Sequence, residues 1–177
     1  LFLLAVGIEL VRRQPLEHIV LLLVASIAWA VGNALNLLGF APDTCAAWWF
    51  AFLVLTIAAE RLEMTRLVRR PPVAARLFHG AVALTLTGAA YATVFPAAGG
   101  IVFGAGLVAI AAWCAAFDLA RRTIHTEGFS RYAAVALLAG YAWLAIGGLA
   151  WAMMSAVDPA WRDAAIHALG LGFVFSM

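Results

Sequence analysis

The sequence LVRR at residues 10–13 occurs again at residues 67–70 and returns as LARR at residues 119–122. Each copy follows a long apolar run, either directly or after a short extension. The chain has eleven lysine and arginine residues, and all of them are arginine. The apolar runs between the pairs decide the fold.

The composition excludes an ordinary water-soluble domain. Hydrophobic residues make up 66% of the 177 residues and charged residues 11%, whereas a soluble domain has about 45–50% and about 25%. A soluble fold would need polar residues on its surface that this chain lacks. The lipid bilayer is therefore the predicted partner. The net charge of +2 does not indicate a nucleic-acid-binding protein, and we expect no nucleic acid to bind.

Seven apolar segments follow one another along the chain. Because a spanning helix needs about 20 apolar residues, five of them are predicted full spans, at residues 18–40, 45–59 with its charged inner turn, 77–95, 100–120 and 132–155. Two shorter segments, 1–10 and 164–177, stop at the chain ends. The sequence predicts an all-α polytopic bundle in one domain over residues 1–177, and we expect it to be part of a longer protein.

The arginines lie in alternate connections between the segments. The first, third and fifth connections carry ten of them, and only Arg162 lies in an even-numbered connection. This alternation follows the positive-inside rule, so the odd-numbered connections are predicted to be cytoplasmic. An internal repeat is the alternative explanation of the three similar tetrapeptides.

Polar residues inside the spans are the first candidates for function, because they are costly in lipid. Asn33 and Asn36 share one face of the second span, where they either bond to another helix or line a pore or cofactor pocket. Glu60 lies deeper than Glu63 in the third span. It is either half of a buried ion pair or a proton carrier.

Three acids precede arginines by three or four residues, a spacing that places both on one helical face. These are Glu9 before Arg12 and Arg13, Glu63 before Arg66, and Asp118 before Arg121 and Arg122. We predict local ion pairs at the headgroup level. A proton-entry or subunit-docking surface is the alternative. Separately, Gly100 and Gly104 form a G-x-x-x-G pattern that predicts close helix packing.

His167 is the favoured candidate ligand among the four histidines. It lies one turn inside the last segment, where Gly170 and Gly172 are expected to leave space beside it. Such a histidine either ligates haem or copper or forms a structural hydrogen bond. His18 follows Glu17, whose carboxylate can orient the ring. The predicted topology places His18 near the inner face and His167 near the outer face, so they are not expected to share one metal.

Three stretches resemble the NnrS family: WWFAFLVLTIAAERLEMTRLVRR, GYAWLAIGGLAW and DAAIHALGLGFVFSM. The resemblance implies a bacterial inner-membrane protein with about twelve spans and bound haem and copper, linked to nitric oxide and denitrification stress. It implies His167 and, second, His18 as candidate ligands. The remaining helices of the longer protein would supply partner histidines.

Three hypotheses follow. In the first, the chain is a redox or gas-handling protein that holds haem or copper at His167. In the second, it is a transporter or channel in which Asn33, Asn36 and Glu60 line a path. In the third, it is a structural or assembly subunit whose polar residues only join helices. A homo-oligomer is among the expected partners. Three measurements discriminate between the hypotheses. Haem absorbance tests the first hypothesis, and water access along the second and third spans tests the second. Loss of abundance on substitution, without a separate loss of activity, tests the third.

Overall fold

The computed structural model describes residues 2–65 and 70–177. Within these ranges every regular element is helical and none is a strand. The α-helices are α1 (Phe2–Arg13), α2 (Glu17–Leu37), α3 (Pro42–Met64), α4 (Pro72–Ala92), α5 (Pro96–Phe117), α6 (Ala120–Thr123), α7 (Phe129–Ala156) and α8 (Trp161–His167). A π-helical segment, Ala168–Phe173, and a 3₁₀ turn, Val174–Ser176, end the chain. The predicted all-α class is confirmed.

Five of the described helices, α2, α3, α4, α5 and α7, are long and apolar enough to cross a membrane. They coincide with the five full spans predicted from the sequence. Their backbones satisfy their own hydrogen bonds, as a membrane requires. The chain therefore has the architecture of a multi-pass membrane protein.

The residues group into two compact units, an N-terminal unit of Leu1–Glu63 and a C-terminal unit of Met64–Met177. In the N-terminal unit, Gly7 of α1 lies against Leu23 of α2. The Trp29 ring of α2 lies 5.2 Å from the Phe52 ring of α3, centre to centre. Aromatic packing thus joins α2 to α3. The prediction of one domain over the whole chain stays a prediction.

In the C-terminal unit, α5 packs against both α4 and α7. Glycines stand where the backbones approach most closely. A Cβ built on Gly88 of α4 would lie 2.3 Å from the main-chain nitrogen of Phe103, and one on Gly104 of α5 would lie 2.4 Å from the carbonyl oxygen of Gly148. The close packing predicted at Gly104 is confirmed, because no larger side chain fits at this crossing.

Candidate functional site

A groove of about 610 Å³ opens beside the last helix of the C-terminal unit. His167 lines it at the end of α8, together with Leu171 and Phe175 from the following turns and Trp143 and Ile146 from α7. The α-helix widens to a π-helix directly after His167. Single π-helical turns occur frequently at functional sites. The groove therefore combines an apolar lining, one histidine and an irregular helix.

The ring of His167 is held by its own helix. Its Nδ1 lies 2.7 Å from the main-chain oxygen of Asp163, one turn earlier. Because a carbonyl oxygen only accepts, Nδ1 is the protonated nitrogen in this contact. In the neutral ring Nε2 then carries the lone pair, and no described residue forms a hydrogen bond with it. This is the tautomer and the kind of second contact found in histidines that ligate metals.

The two glycines beside His167 differ in their surroundings. A Cβ built on Gly170 would meet no atom within 4 Å, so the expected space is present there. A Cβ on Gly172 would lie 2.6 Å from Cγ of Trp143. The space expected at Gly172 is therefore filled, because the indole of Trp143 lies against the glycine. Trp143 forms part of the groove wall and was not singled out by the sequence.

His18 lies in the N-terminal unit and is 8% exposed. Its Nε2 is 3.9 Å from a carboxylate oxygen of Glu63, at the end of α3. Glu63 is thus a carboxylate near the ring that was not anticipated, and the predicted role of Glu17 in orienting His18 stays a prediction. Residues 2–65 and 70–177 contain no cluster of three or more histidine, cysteine, aspartate or glutamate side chains that could hold a metal ion.

The intramembrane polar candidates do not come together. Asn33 lines a groove of about 370 Å³ between α1 and α2, and its Nδ2 donates to the carbonyl of Trp29 at 3.0 Å. Asn36 is exposed and does not line that groove. Glu60 is exposed on α3 and contacts no charged partner among the described residues. The buried ion pair considered for Glu60 is therefore not formed within the part of the chain that the structure describes.

The acids near the arginines have different partners. Glu9 forms the predicted local pair, with Arg13 Nε donating to its Oε1 at 2.7 Å. The expected partner of Glu63, Arg66, lies outside the described residues.

Asp118 is 5% exposed and accepts hydrogen bonds from the hydroxyl of Tyr141 and from the main-chain N–H of Leu119. The ion pair predicted between Asp118 and Arg121 or Arg122 is wrong. Asp118 has extended backbone angles, φ −75° and ψ 155°, so the helix ends before it. The shared helical face on which the prediction depended does not exist there.

Two aromatic residues of the C-terminal unit were missed by the sequence analysis. Tyr141 holds Asp118, and the indole N–H of Trp113 donates to the carbonyl of Ala74 at 2.7 Å. The guanidinium carbon of Arg70 lies 4.9 Å from the centre of the Trp113 ring. Both aromatic residues carry a polar atom within an apolar span. This polar atom could have predicted the two hydrogen bonds from the sequence, because a buried tyrosine or tryptophan usually has a hydrogen-bond partner.

A family model described as a domain of unknown function, DUF8744, matches residues 1–177. No curated protein and no solved structure matches the chain.

Proposed function

Because the chain belongs to the DUF8744 family over its whole length, which assigns no activity, we propose a function from its own residues: a multi-pass protein of the bacterial inner membrane that binds haem at His167. By the resemblance to NnrS, the bound haem serves in nitric oxide or respiratory stress. The five apolar helices support the membrane location. The residues around His167 support the haem site.

The position of His167 is the observation that carries the proposal. Its Nδ1 is engaged by the carbonyl of Asp163, and the residue lines an apolar groove of about 610 Å³. A haem that is ligated by histidine takes a ring nitrogen with a free lone pair, and apolar side chains suit its macrocycle. Trp143, Leu171 and Phe175 supply such walls. When bound, haem would supply one-electron and gas-binding chemistry at the iron, while the chain would supply the axial ligand and the apolar groove walls.

Copper fits the described residues less well than haem. A copper site takes about three or more nitrogen or sulfur ligands, and no such group occurs within residues 2–65 and 70–177. Cys45 and Cys114 are buried and belong to different units. We therefore propose haem alone at His167, and no cofactor at His18.

The test is the absorbance of the purified full-length protein, isolated from cells supplied with iron and haem precursor. We expect a Soret band and about one haem per chain by pyridine haemochrome analysis. His167→Ala should lose at least about nine-tenths of the bound haem, because the axial bond is the main polar anchor in an apolar groove.

His125→Ala is the matched control, since His125 is exposed in the connection between α6 and α7 and lines no groove described above. It should keep the wild-type spectrum. A haem content that is equal in the two variants, or a wild-type protein without haem in haem-replete cells, would contradict the proposal.

The proposed orientation places the connections rich in arginine in the cytoplasm. We expect a fluorescent protein inserted at residues 124–128, between α6 and α7, to be bright, and one inserted at residues 93–95, between α4 and α5, to be dark. Alkaline phosphatase at the same two places should give the opposite activities. The physical reason is the cost of moving paired arginines across the membrane. The inverse pattern would overturn the orientation.

A further inference from the structure

Three of the arginines at the inner end of the C-terminal unit lie around the connection between α5 and α7, and the sequence predicted ion pairs with Asp118 for two of them, Arg121 and Arg122. Arg121 and Arg122 lie in α6, and Arg131 lies in the first turn of α7. All three are exposed. None of them has an ion pair or hydrogen bond with a side chain of the described residues. Asp118, the expected partner of Arg121 and Arg122, instead accepts a hydrogen bond from the hydroxyl of Tyr141.

The length of α7 places these arginines at a membrane surface. Ser155 of α7 lies against Gly100, near the start of α5, so the outer ends of the two helices are level. The 22 residues of α5 and the 28 of α7 correspond to about 33 Å and about 42 Å at 1.5 Å per residue. Because a hydrocarbon core is about 30 Å thick, the extra turns of α7 extend beyond the inner end of α5.

The surface of these extra turns carries the residue types that are typical of the lipid headgroup region. Phe129 is 83% exposed and Tyr132 is 72% exposed, and aromatic side chains are enriched at the membrane–water interface. Residues 119–132 contain three arginines and one acid, Glu127, which is exposed and makes no ion pair in the described part of the chain. A cationic surface with interfacial aromatics complements negative charge at the lipid surface.

We propose that this arginine surface, formed by Arg121, Arg122 and Arg131 with Phe129 and Tyr132, binds the phosphate groups of anionic phospholipids and prefers them to zwitterionic lipids. Guanidinium groups recognise phosphate oxygens by paired N–H donors. The aromatic rings rest among the headgroups beside them. The arginines at the inner end of α1 differ from this surface, because Arg13 already forms an ion pair with Glu9.

The test measures lipid binding by the purified full-length protein in a neutral detergent. Native mass spectrometry and the thermal unfolding midpoint are recorded with added phosphatidylglycerol, phosphatidylcholine or inorganic phosphate. We expect phosphatidylglycerol to bind more tightly than phosphatidylcholine. Each arginine should contribute about fivefold in affinity, so Arg121→Gln, Arg122→Gln and Arg131→Gln combined should weaken phosphatidylglycerol binding by on the order of 100-fold.

Arg13→Gln is the matched control for each single variant, because it removes the same charge from an arginine that already has a carboxylate partner. It should change phosphatidylglycerol affinity by less than about twofold. Equal losses in Arg13→Gln and Arg122→Gln would overturn the proposal, as would equal affinity for the two lipids. Stabilisation by inorganic phosphate that matches that by phosphatidylglycerol would assign the surface to a free anion and not to lipid. If the triple variant does not fold, the three single variants carry the same comparison.

Discussion

Gly88→Ala should destabilise the protein by at least about 2–3 kcal/mol, because an added methyl group there meets main chain and not a movable side chain. The new Cβ would lie 2.3 Å from the nitrogen and 2.5 Å from the Cα of Phe103. Neither atom can move without shifting α5 as a whole. The measurement is unfolding of the full-length protein in mixed micelles, followed by helical circular dichroism as sodium dodecyl sulfate is added.

Gly80→Ala is the control on the same helix. A Cβ on Gly80 would meet no atom within 4 Å, and alanine favours a helix over glycine by about 1 kcal/mol. We expect this variant to be neutral or slightly more stable. If both variants unfold at the same detergent fraction, α4 and α5 do not pack as closely as the structure shows.

The spans were predictable from the sequence because one physical requirement fixes them. Lipid cannot hydrogen-bond to a backbone, and its thickness sets the length of each helix. The predicted span at residues 18–40 thus corresponds to α2, Glu17–Leu37, and that at 100–120 to α5, Pro96–Phe117. The π-helical turn after His167 was not predictable, since it departs from the regular period on which the sequence reading depends.

The partners of single side chains were predictable only where the helix continues. Glu9 and Arg13 are four residues apart within α1, and their pair forms as expected. Asp118 has the same spacing to Arg122, yet the chain leaves the helix at Asp118. The sequence gives no direct sign of that break, because neither proline nor glycine stands there. The partner, Tyr141, is 23 residues away, and only the packing of α7 on α5 brings it near.

Trp143 shows the same limit at the candidate site. The glycine-rich sequence after His167 predicted empty space, and that prediction treated the segment by itself. In the folded chain the indole of Trp143 fills the position beside Gly172. A glycine in a membrane helix marks either open space or a close neighbour, and the choice depends on a residue from another helix. The groove could therefore be anticipated at His167, but its walls could not.

Tyr141→Phe should destabilise the protein by about 2–3 kcal/mol, because it leaves a buried carboxyl group without its side-chain donor. Asp118 is 5% exposed and Tyr141 is 2% exposed, so water cannot easily replace the lost hydroxyl. The remaining hydrogen bond comes from the N–H of Leu119. The same unfolding measurement in mixed micelles gives the change in the free energy of unfolding.

Tyr132→Phe removes the same atom from an exposed position of the same helix and should change the free energy by less than about 0.5 kcal/mol. A double-mutant cycle with Asp118→Leu then separates the contact from general packing. Removing both polar groups should cost less than removing the hydroxyl alone, because no unsatisfied carboxyl group is left in the core. If the two losses add instead, Tyr141 and Asp118 do not interact, and Asp118 would again be available to the arginines beside it. The arginine surface would then lose part of the positive charge with which it is proposed to bind anionic lipid.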